Sequence, residues 1–379
     1  MDFQLSEDNI LFRDAAREFA EKRLFPQAHK FDEEGEIPQE IFEELAGLGY
    51  FGMMVPEKYS GMALDTLSYS LVMEEFARAC AGLMIALSVH NSLVCEAIVK
   101  HGTDEQKEKF LPKLAAGKLM GAYCLTEPDA GTDAGSLKST AVLNGDHYLL
   151  NGTKTFVTNG GFAGVYMVFA LTNKEAGSKG VSCLLVEKGA AGMSIGAKEK
   201  KMGLKGSDTR QIAFDDCRVP AGNLLGQRDG GFKVALSLLT NGRIGVGSQA
   251  VGIAQAAYEE AVKYSKSREQ FGQPICNFQA IAFKLADMAM KIDAARLLVY
   301  RAAWLKDNGL PHATEASMAK LFASQTANWV CNEAVQVHGG YGYMKEYAVE
   351  RYFRDARITE IYEGTSEAQK IVISRAILK

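Results

Sequence analysis

The 379-residue chain has the composition of a globular protein, with 47% hydrophobic and 23% charged residues. Its formal net charge of −4 gives no reason to expect nucleic acid or an anionic membrane as a partner. No apolar run approaches the roughly 20 residues that span a bilayer. The N-terminus lacks the basic and apolar regions of a secretory signal. We therefore expect a cytoplasmic protein without a transit peptide.

The apolar periodicity changes twice along the chain. Residues 5–120 show helical spacing, broken into several helices by prolines and a glycine. Residues 121–230 read as short strands, and Asn-Gly pairs at 144–145 and 151–152 predict two successive hairpin turns. The chain then becomes helical again, with long helices predicted near 232–268, 277–307 and 313–337.

This order predicts an α+β protein of three domains. They are an N-terminal α-helical domain (1–120), a middle β-domain (121–230) and a C-terminal α-helical domain (231–379). The seven cysteines are scattered, which disfavours disulfides and structural zinc, and the six histidines lack metal-ligand spacing. We therefore predict no metal. Neither an ATP P-loop nor a Rossmann fingerprint is present, and the glycine-rich segment 242–247 is interpreted as close helix packing.

The most informative segment is 357–367, which reads RITEIYEGTSE. Glu363 precedes Gly364 and a helix start, where Ser366 and Gln369 have capping-box spacing. A carboxylate held in such a loop can be partly dehydrated, which raises its pKa and makes it a better base near neutral pH. Glu363 is therefore the candidate catalytic base.

Three further segments accompany this one: AYCLTEPDAGTD (122–133), NGTKTFVTNGG (151–161) and QVHGGYGY (336–343). Together, in this order and spacing, the four segments resemble the signatures of the acyl-CoA dehydrogenase family, and the resemblance covers essentially the whole chain. It implies the same three-domain architecture, with a β-barrel-like middle domain and a C-terminal four-helix bundle. It also implies FAD as the cofactor, bound between the β-domain, the bundle and a neighbouring subunit.

The resemblance carries the cofactor-binding residues onto this sequence. Those implied for the flavin ring and the rest of FAD within one subunit are Tyr123, Leu125, Thr126, Gly131, Thr132, Phe156, Thr158, Thr365 and Glu367. Those implied to reach FAD from the partner subunit are Arg268, Phe271, Gln279, Gln336 and Gly340. Completion of each site by a second subunit implies a homotetramer built as a dimer of dimers.

The resemblance also implies the reaction. Glu363 takes the pro-R α-proton of an acyl-CoA thioester, the β-hydrogen leaves as hydride to flavin N5, and a trans-2-enoyl-CoA results. Electrons then pass to an electron-transfer flavoprotein. Some relatives place the base at the position of Gly242, where this chain has no carboxylate. The substrate-binding residues implied are Thr132, Thr240, Arg243 and Gly364.

Two departures from the family pattern concern the substrate. Thr240 stands where many members have Asp, and Asp129 replaces a glycine. Segment 87–93 resembles the floor of the short-chain pocket and favours a short, branched or alicyclic acyl group. His90 within it is interpreted as a buried, hydrogen-bonded histidine rather than a substrate ligand.

Three alternatives remain open. A dicarboxylic, glutaryl-type substrate is disfavoured because no cation stands in segment 87–93. An oxygen-using oxidase of this fold is disfavoured by the chain length. A non-catalytic acyl-CoA or flavin-binding protein is disfavoured by the presence of Glu363.

Overall fold

The computed structural model describes residues 4–378. Part of the N-terminal segment that argued against a secretory signal (1–3) lies outside the described residues. Within them the chain forms helices, then a sheet, then helices, which confirms the predicted α+β class. The boundaries placed after residues 120 and 230 stay predictions.

The N-terminal part is helical. Its helices are α1 (Glu7–Phe19), α2 (Ala28–Glu34), α3 (Gln39–Gly47), α4 (Thr66–Ser88), α5 (Glu96–His101) and α6 (Asp104–Ala115). A π-helical stretch, Val89–Cys95, joins α4 to α5. The joined segment Thr66–His101 is long and apolar enough to cross a membrane, so the expectation that no apolar run approaches that length is wrong. Because 94% of its most apolar window is buried inside the protein, it has the character of a core helix.

The middle part contributes one sheet of eight strands. They are β1 (Gly121–Cys124), β2 (Thr140–Asn144), β3 (His147–Thr158), β4 (Val165–Leu171), β5 (Val181–Glu187), β6 (Met193–Lys198), β7 (Thr209–Pro220) and β8 (Leu224–Leu225). Their order is β6-β7-β3-β2-β4-β5-β8, and β1 pairs with β4 in parallel. The β2–β3 hairpin turns at Gly145-Asp146, one residue later than the predicted Asn144-Gly145, because Asn144 is the last residue of β2 and pairs with His147. Gly145 has a φ of 64°.

The second predicted hairpin turn, Asn151-Gly152, is wrong. Both residues lie inside β3, which pairs with β7 on both sides of them. The register between the strands is irregular between Leu150 and Gly152, and the Asn151 side chain exchanges hydrogen bonds with Asp216 on β7 (2.9 and 2.8 Å). From the Leu150–Cys217 pair to the Gly152–Phe214 pair, β3 advances two residues and β7 advances three, so the extra residue of the bulge lies on β7. The Asn-Gly pair continues β3 opposite this bulge, because a neighbouring strand was available to continue the ladder.

The C-terminal part is helical again. Its elements are α7 (Gly231–Ser267), the short β9 (Glu269–Gln270) and β10 (Gln273–Pro274), α8 (Gln279–Asp307), α9 (Ala313–His338), α10 (Val349–Arg357) and α11 (Ser366–Ile377). Helices α7, α8 and α9 pack against one another, and α10 and α11 pack on α9. A Cβ at Gly247 would lie 2.8 Å from Val299 of α8, so the glycines of 242–247 do permit close packing.

One hydrophobic core joins the three parts. It includes Leu93 from the π-helical stretch, Leu125 after β1 and Ile244 on α7, all at most 7% exposed. The end of β1 and the middle of α7 are therefore held in fixed positions relative to each other. The loop that carries Glu363 lies against this junction.

Candidate active site

The loop between α10 and α11 has an unusual backbone at Glu363. Its φ is 53°, a left-handed conformation uncommon for a residue with a side chain, and Gly364 follows at φ 90°. Helix α11 is capped by Thr365, whose hydroxyl accepts the Ala368 N–H (3.2 Å). The predicted capping box on Ser366 and Gln369 is therefore wrong by one residue, because Ser366 already lies in the helix.

Gln369 instead supports the loop. It is fully buried, and its Nε2 donates to the carbonyl oxygen of Gly364 (2.7 Å) and more weakly to that of Glu363 (3.4 Å). The left-handed conformation is thus held by hydrogen bonds from the following helix. Strained backbone of this kind is frequently found where a functional side chain must be aimed.

The Glu363 carboxylate points at α7. A Cβ added to Gly242 would lie 2.6 Å from Glu363 Oε2, so the carboxylate occupies the space that a side chain at 242 would need. Oε2 is shielded from solvent and has no hydrogen-bond partner among residues 4–378. A shielded carboxylate with an unused lone pair is suited to accept a proton.

The electrostatics of this carboxylate come from burial and two cations. Burial raises the pKa of Glu363 to about 7, while Arg243 and Lys320 act to lower it. Arg243 is 8% exposed and donates to the Ser317 hydroxyl (3.1 Å), so it is a buried cation rather than a surface charge. A carboxyl group with a pKa near neutrality is about half ionised at neutral pH, which suits a general base.

Two tyrosines line the same space. The hydroxyl of Tyr123, on β1, is buried and has no hydrogen-bond partner among the described residues. Burial, and secondarily the charge of Glu363, raise its pKa well above the usual value. Tyr362 donates to Gln249 on α7, whose Nε2 donates in turn to Ala81 (3.0 Å) on α4. The loop that carries Glu363 therefore lies between helices α4 and α7 and the end of β1.

The residues predicted to contact the flavin ring are brought together by the sheet. The Thr155 N–H donates to the Thr126 carbonyl (2.9 Å), which joins the end of β1 to the end of β3. Leu125 is buried, and Thr126 and Thr158 are half-buried beside them. Phe156 is 67% exposed and has a φ of 56°.

Sequence reasoning missed the ion pair that supports this arrangement. Lys154, fully buried on β3, donates to Glu127 (2.7 Å) and to the Leu125 carbonyl (3.1 Å). Glu127 also accepts the backbone N–H groups of Lys138 (2.6 Å) and Ser139 (3.0 Å). The strand alternation could have revealed it, because Tyr148 and Leu150 place Lys154 on the buried face.

The residues predicted for the remainder of FAD lie at the surface. Gly131, Thr132 and Glu367 are exposed. Arg268 ends α7, and its guanidinium stands 5.7 Å from the Tyr341 ring centroid, next to Gly340. This contact brings two of the predicted partner-facing positions together.

The other partner-facing positions are also open. Phe271 is 95% exposed with φ 53°, and its ring centroid lies 6.0 Å from that of Phe278, the residue before Gln279. Gln279, Gln336 and Gly340 are exposed. No hydrogen bond recorded among the described residues joins these positions to Glu363.

Three residues connected with the substrate are placed as follows. Thr240 is half-buried, and its hydroxyl donates to Leu236 within α7 (3.1 Å). Asp129 is exposed and pairs with Lys138 (3.1 Å). His90 is fully buried, accepts the Gly121 N–H at Nδ1 (3.0 Å) and donates from Nε2 to Phe51 (2.9 Å), which confirms its interpretation as a hydrogen-bonded core histidine.

Comparison with known proteins matches all three parts of the chain to one family. Models of the acyl-CoA dehydrogenase N-terminal, middle and C-terminal domains match residues 6–118, 122–217 and 229–378. Acryloyl-CoA reductase (NADH) of Anaerotignum propionicum is 49% identical over 100% of this chain and 96% of that protein.

Two solved structures are also similar. Butyryl-CoA dehydrogenase from Megasphaera elsdenii has a TM-score of 0.98 at 48% identity, covering 100% of both chains. A chain from structural work on the electron transferring flavoprotein of Acidaminococcus fermentans and flavin-based electron bifurcation has a TM-score of 0.99 at 50% identity, again over 100% of both chains.

The fold and the matched domain models define an FAD-dependent oxidoreductase. The residues present fit the cofactor. Tyr123 has a buried hydroxyl without a hydrogen-bond partner among the described residues, and Phe156 has an exposed ring on left-handed backbone. Both stand where a flavin is implied. With all three domain models matched, the chain belongs to the acyl-CoA dehydrogenase family.

Proposed function

We propose that this protein dehydrogenates a short-chain acyl-CoA thioester between its α and β carbons, with Glu363 as the base. The observation that carries the proposal is the Glu363 carboxylate, whose Oε2 is shielded from solvent against Gly242 and whose pKa is raised by burial to about 7. The names of the butyryl-CoA and acryloyl-CoA relatives support a short acyl group.

Proton transfer is the part of the reaction that the chain itself performs. The α C–H bond breaks, its proton moves to the Glu363 carboxylate, and the electron pair left at the α carbon forms the new double bond as the β-hydrogen departs as hydride. FAD, when bound, supplies the acceptor for that hydride. The backbone N–H of Glu363 is proposed to bind the thioester oxygen, where negative charge develops.

Binding of FAD is proposed to use both walls of the site. Tyr123, Leu125, Thr126, Phe156 and Thr158 would hold the flavin ring, and exclusion of water by these side chains would keep the base desolvated. The pyrophosphate would lie against Gly131 and Thr132, whose backbone permits close approach. Thr365 and Glu367 are proposed to complete the site from the start of α11.

Completion by a second subunit is proposed for Arg268, Phe271, Gln279, Gln336 and Gly340. The exposure of the last four supports this. So does an apolar stripe on α8 at seven-residue spacing, formed by Phe283, Met290, Leu297 and Trp304, each at least 44% exposed. Such a stripe favours burial against another chain. We propose a homotetramer, and light scattering of the purified holoenzyme tests it.

An electron-transfer flavoprotein is the proposed acceptor of the electrons. The Acidaminococcus fermentans relative, whose structure was studied with such a flavoprotein, supports this partner. A cytoplasmic location is proposed because scattered cysteines without evident pairing are typical of a reducing compartment.

The test of the base is Glu363→Gln, which keeps the size of the side chain and removes the proton acceptor. The holoenzyme is mixed anaerobically with butyryl-CoA and bleaching of the visible flavin band is followed. We expect retained FAD and a loss of about 10²–10⁴-fold in the rate of bleaching, the usual contribution of a general base.

The matched control is Glu105→Gln, the same chemical change at an exposed carboxylate. It should reduce the flavin at the wild-type rate. A Glu363→Gln enzyme as fast as this control would disprove the role of the base. Failure of every saturated short acyl-CoA to bleach the wild-type flavin would overturn the proposed substrate class.

A further inference from the structure

Lys320, on α9, is a buried ammonium group beside the catalytic loop. Its side chain is 0% exposed, and its Nζ donates to the carbonyl oxygen of Gly364 (2.8 Å), the residue after Glu363. Burial of an ammonium costs several kcal/mol unless an opposite charge compensates it. A carbonyl oxygen carries only a partial charge, so this hydrogen bond does not explain why a lysine stands there.

The hydrogen bond to Gly364 is also not unique to Lys320. Gln369 donates to the same carbonyl oxygen at 2.7 Å without carrying a charge. Anchoring of the loop could therefore be achieved by a neutral side chain. The distinguishing property of Lys320 is its charge.

The carboxylate that this charge faces is Glu363. Its Oε2 has no hydrogen-bond partner among the described residues. The negative charge on this atom is therefore stabilised by the buried cations and not by local hydrogen bonds. Around Glu363 stand Arg243 on α7, Lys320 on α9, the adjacent Tyr362, Tyr123 on β1 and Tyr69 on α4. Glu360 and Glu367 also act electrostatically on Lys320, and more weakly than Glu363.

We propose that Lys320 is a positioning residue for the base: its ammonium fixes the Gly364 carbonyl and its charge favours the ionised, proton-accepting form of Glu363. The inference rests on the proposed function. The titration of the pair is consistent with it, because burial lowers the pKa of Lys320 to about 8 while Glu363 opposes that shift. At neutral pH the lysine is still mostly charged.

Three substitutions separate the charge from the hydrogen bond. Lys320→Gln retains a donor without charge, Lys320→Arg retains the charge, and Gln369→Leu removes only the neutral donor. The pH midpoint for flavin bleaching by butyryl-CoA is measured for each holoenzyme. We expect Lys320→Gln to raise the midpoint by about one pH unit, because the opposite charge that favours ionisation of Glu363 is lost. At a pH below the midpoint, this shift corresponds to a rate of bleaching about tenfold lower.

Lys320→Arg should keep the midpoint near the wild-type value. Gln369→Leu should lower the rate of bleaching through its effect on the loop, but it should leave the pH midpoint unchanged. A wild-type midpoint in Lys320→Gln, or a shift of equal size in Gln369→Leu, would overturn the inference. Lys320→Met, which lacks both charge and donor, should shift the midpoint as far as Lys320→Gln. Lys320→Met therefore tests the role of the charge independently if Lys320→Gln does not fold.

A readout without turnover distinguishes this inference from the proposed function. Infrared difference spectra between each protein and its Glu363→Gln counterpart follow the protonated carboxyl band of Glu363 as pH changes. The midpoint of that band should rise in Lys320→Gln even when no substrate is present. An unchanged band midpoint overturns the inference, whereas failure of acyl-CoA to reduce the flavin overturns only the proposed function.

Discussion

The two sides of the candidate site differ in burial: a single chain encloses one side and leaves the other exposed. On the side of the base, Gly242, Arg243, Lys320 and Gln369 are buried, and each lies in contact with the 363–364 loop or exerts its charge on it. On the side implied for the nucleotide, Phe271, Gln279, Gln336 and Gly340 are exposed, and Arg268 is half-buried.

This difference separates chemistry from cofactor retention. A base whose pKa depends on burial must be enclosed by a rigid interior, which a single chain provides through its core. A large anionic cofactor can be held by exposed groups, provided that another surface covers them. Substitutions on the first side should therefore affect stability or the rate of reduction, and those on the second should affect FAD binding.

The largest effect is expected from Lys154→Met. The change leaves Glu127 buried without its ammonium partner, which typically costs about 3–5 kcal/mol in the free energy of unfolding. Urea unfolding of the apo-protein measures the loss. Lys138→Met, at an ion pair in which both side chains are about three-quarters exposed, is the control and should cost less than about 0.5 kcal/mol. Equal losses in the two variants would refute a supporting role for the buried pair.

A smaller effect, confined to reactivity, is expected from Gly242→Ala. The added Cβ would lie 2.6 Å from Glu363 Oε2, so the carboxylate must move. A displacement of this kind typically costs about 100-fold in rate. Stopped-flow bleaching by butyryl-CoA measures it. Gly47→Ala adds a methyl group that meets nothing within 4 Å and should react at the wild-type rate. A fast Gly242→Ala enzyme would show that the carboxylate need not occupy this position.

The smallest effect is expected on the open side, from Phe271→Ala. Because Phe271 is 95% exposed, its loss should change the free energy of unfolding of the apo-protein by less than about 0.5 kcal/mol. The dissociation constant of FAD should nevertheless rise about tenfold, which is the usual effect of removing an aromatic side chain from an interface. Fluorescence of released flavin on dilution measures it. Tyr343→Ala, 83% exposed and outside the predicted set, should retain FAD as the wild type does. Equal retention of FAD by the two variants would exclude contact between Phe271 and the cofactor.

Much of the fold followed from local patterns. The period of the apolar residues gave the order of helices and strands, and the three long C-terminal helices begin and end within about two residues of their predicted bounds. Asn144-Gly145 placed the β2–β3 turn to within one residue, since the turn forms at Gly145-Asp146. Asn151-Gly152 does not form a turn, because β7 lies alongside β3 and continues the ladder through the pair.

The candidate site was only partly predictable. The segment containing Glu363 was recognisable as a motif, but Lys154 and Lys320 were not assigned roles from sequence. Lys154 pairs with Glu127, 27 positions away, and Lys320 donates to Gly364, 44 positions away. A lysine in a strand or helix is usually a solvated charge, so its burial becomes evident only when the elements are packed.

The sequence by itself determined the family, the order of the elements and the candidate base, because periodicity and short motifs are local properties of the chain. Tertiary structure alone decided that the Glu363 carboxylate lies over Gly242, that two buried cations act on it and that its Oε2 is shielded from solvent. These properties set the pKa of Glu363, the proposed base, and they arise from charges and apolar surfaces that only packing brings close to one another.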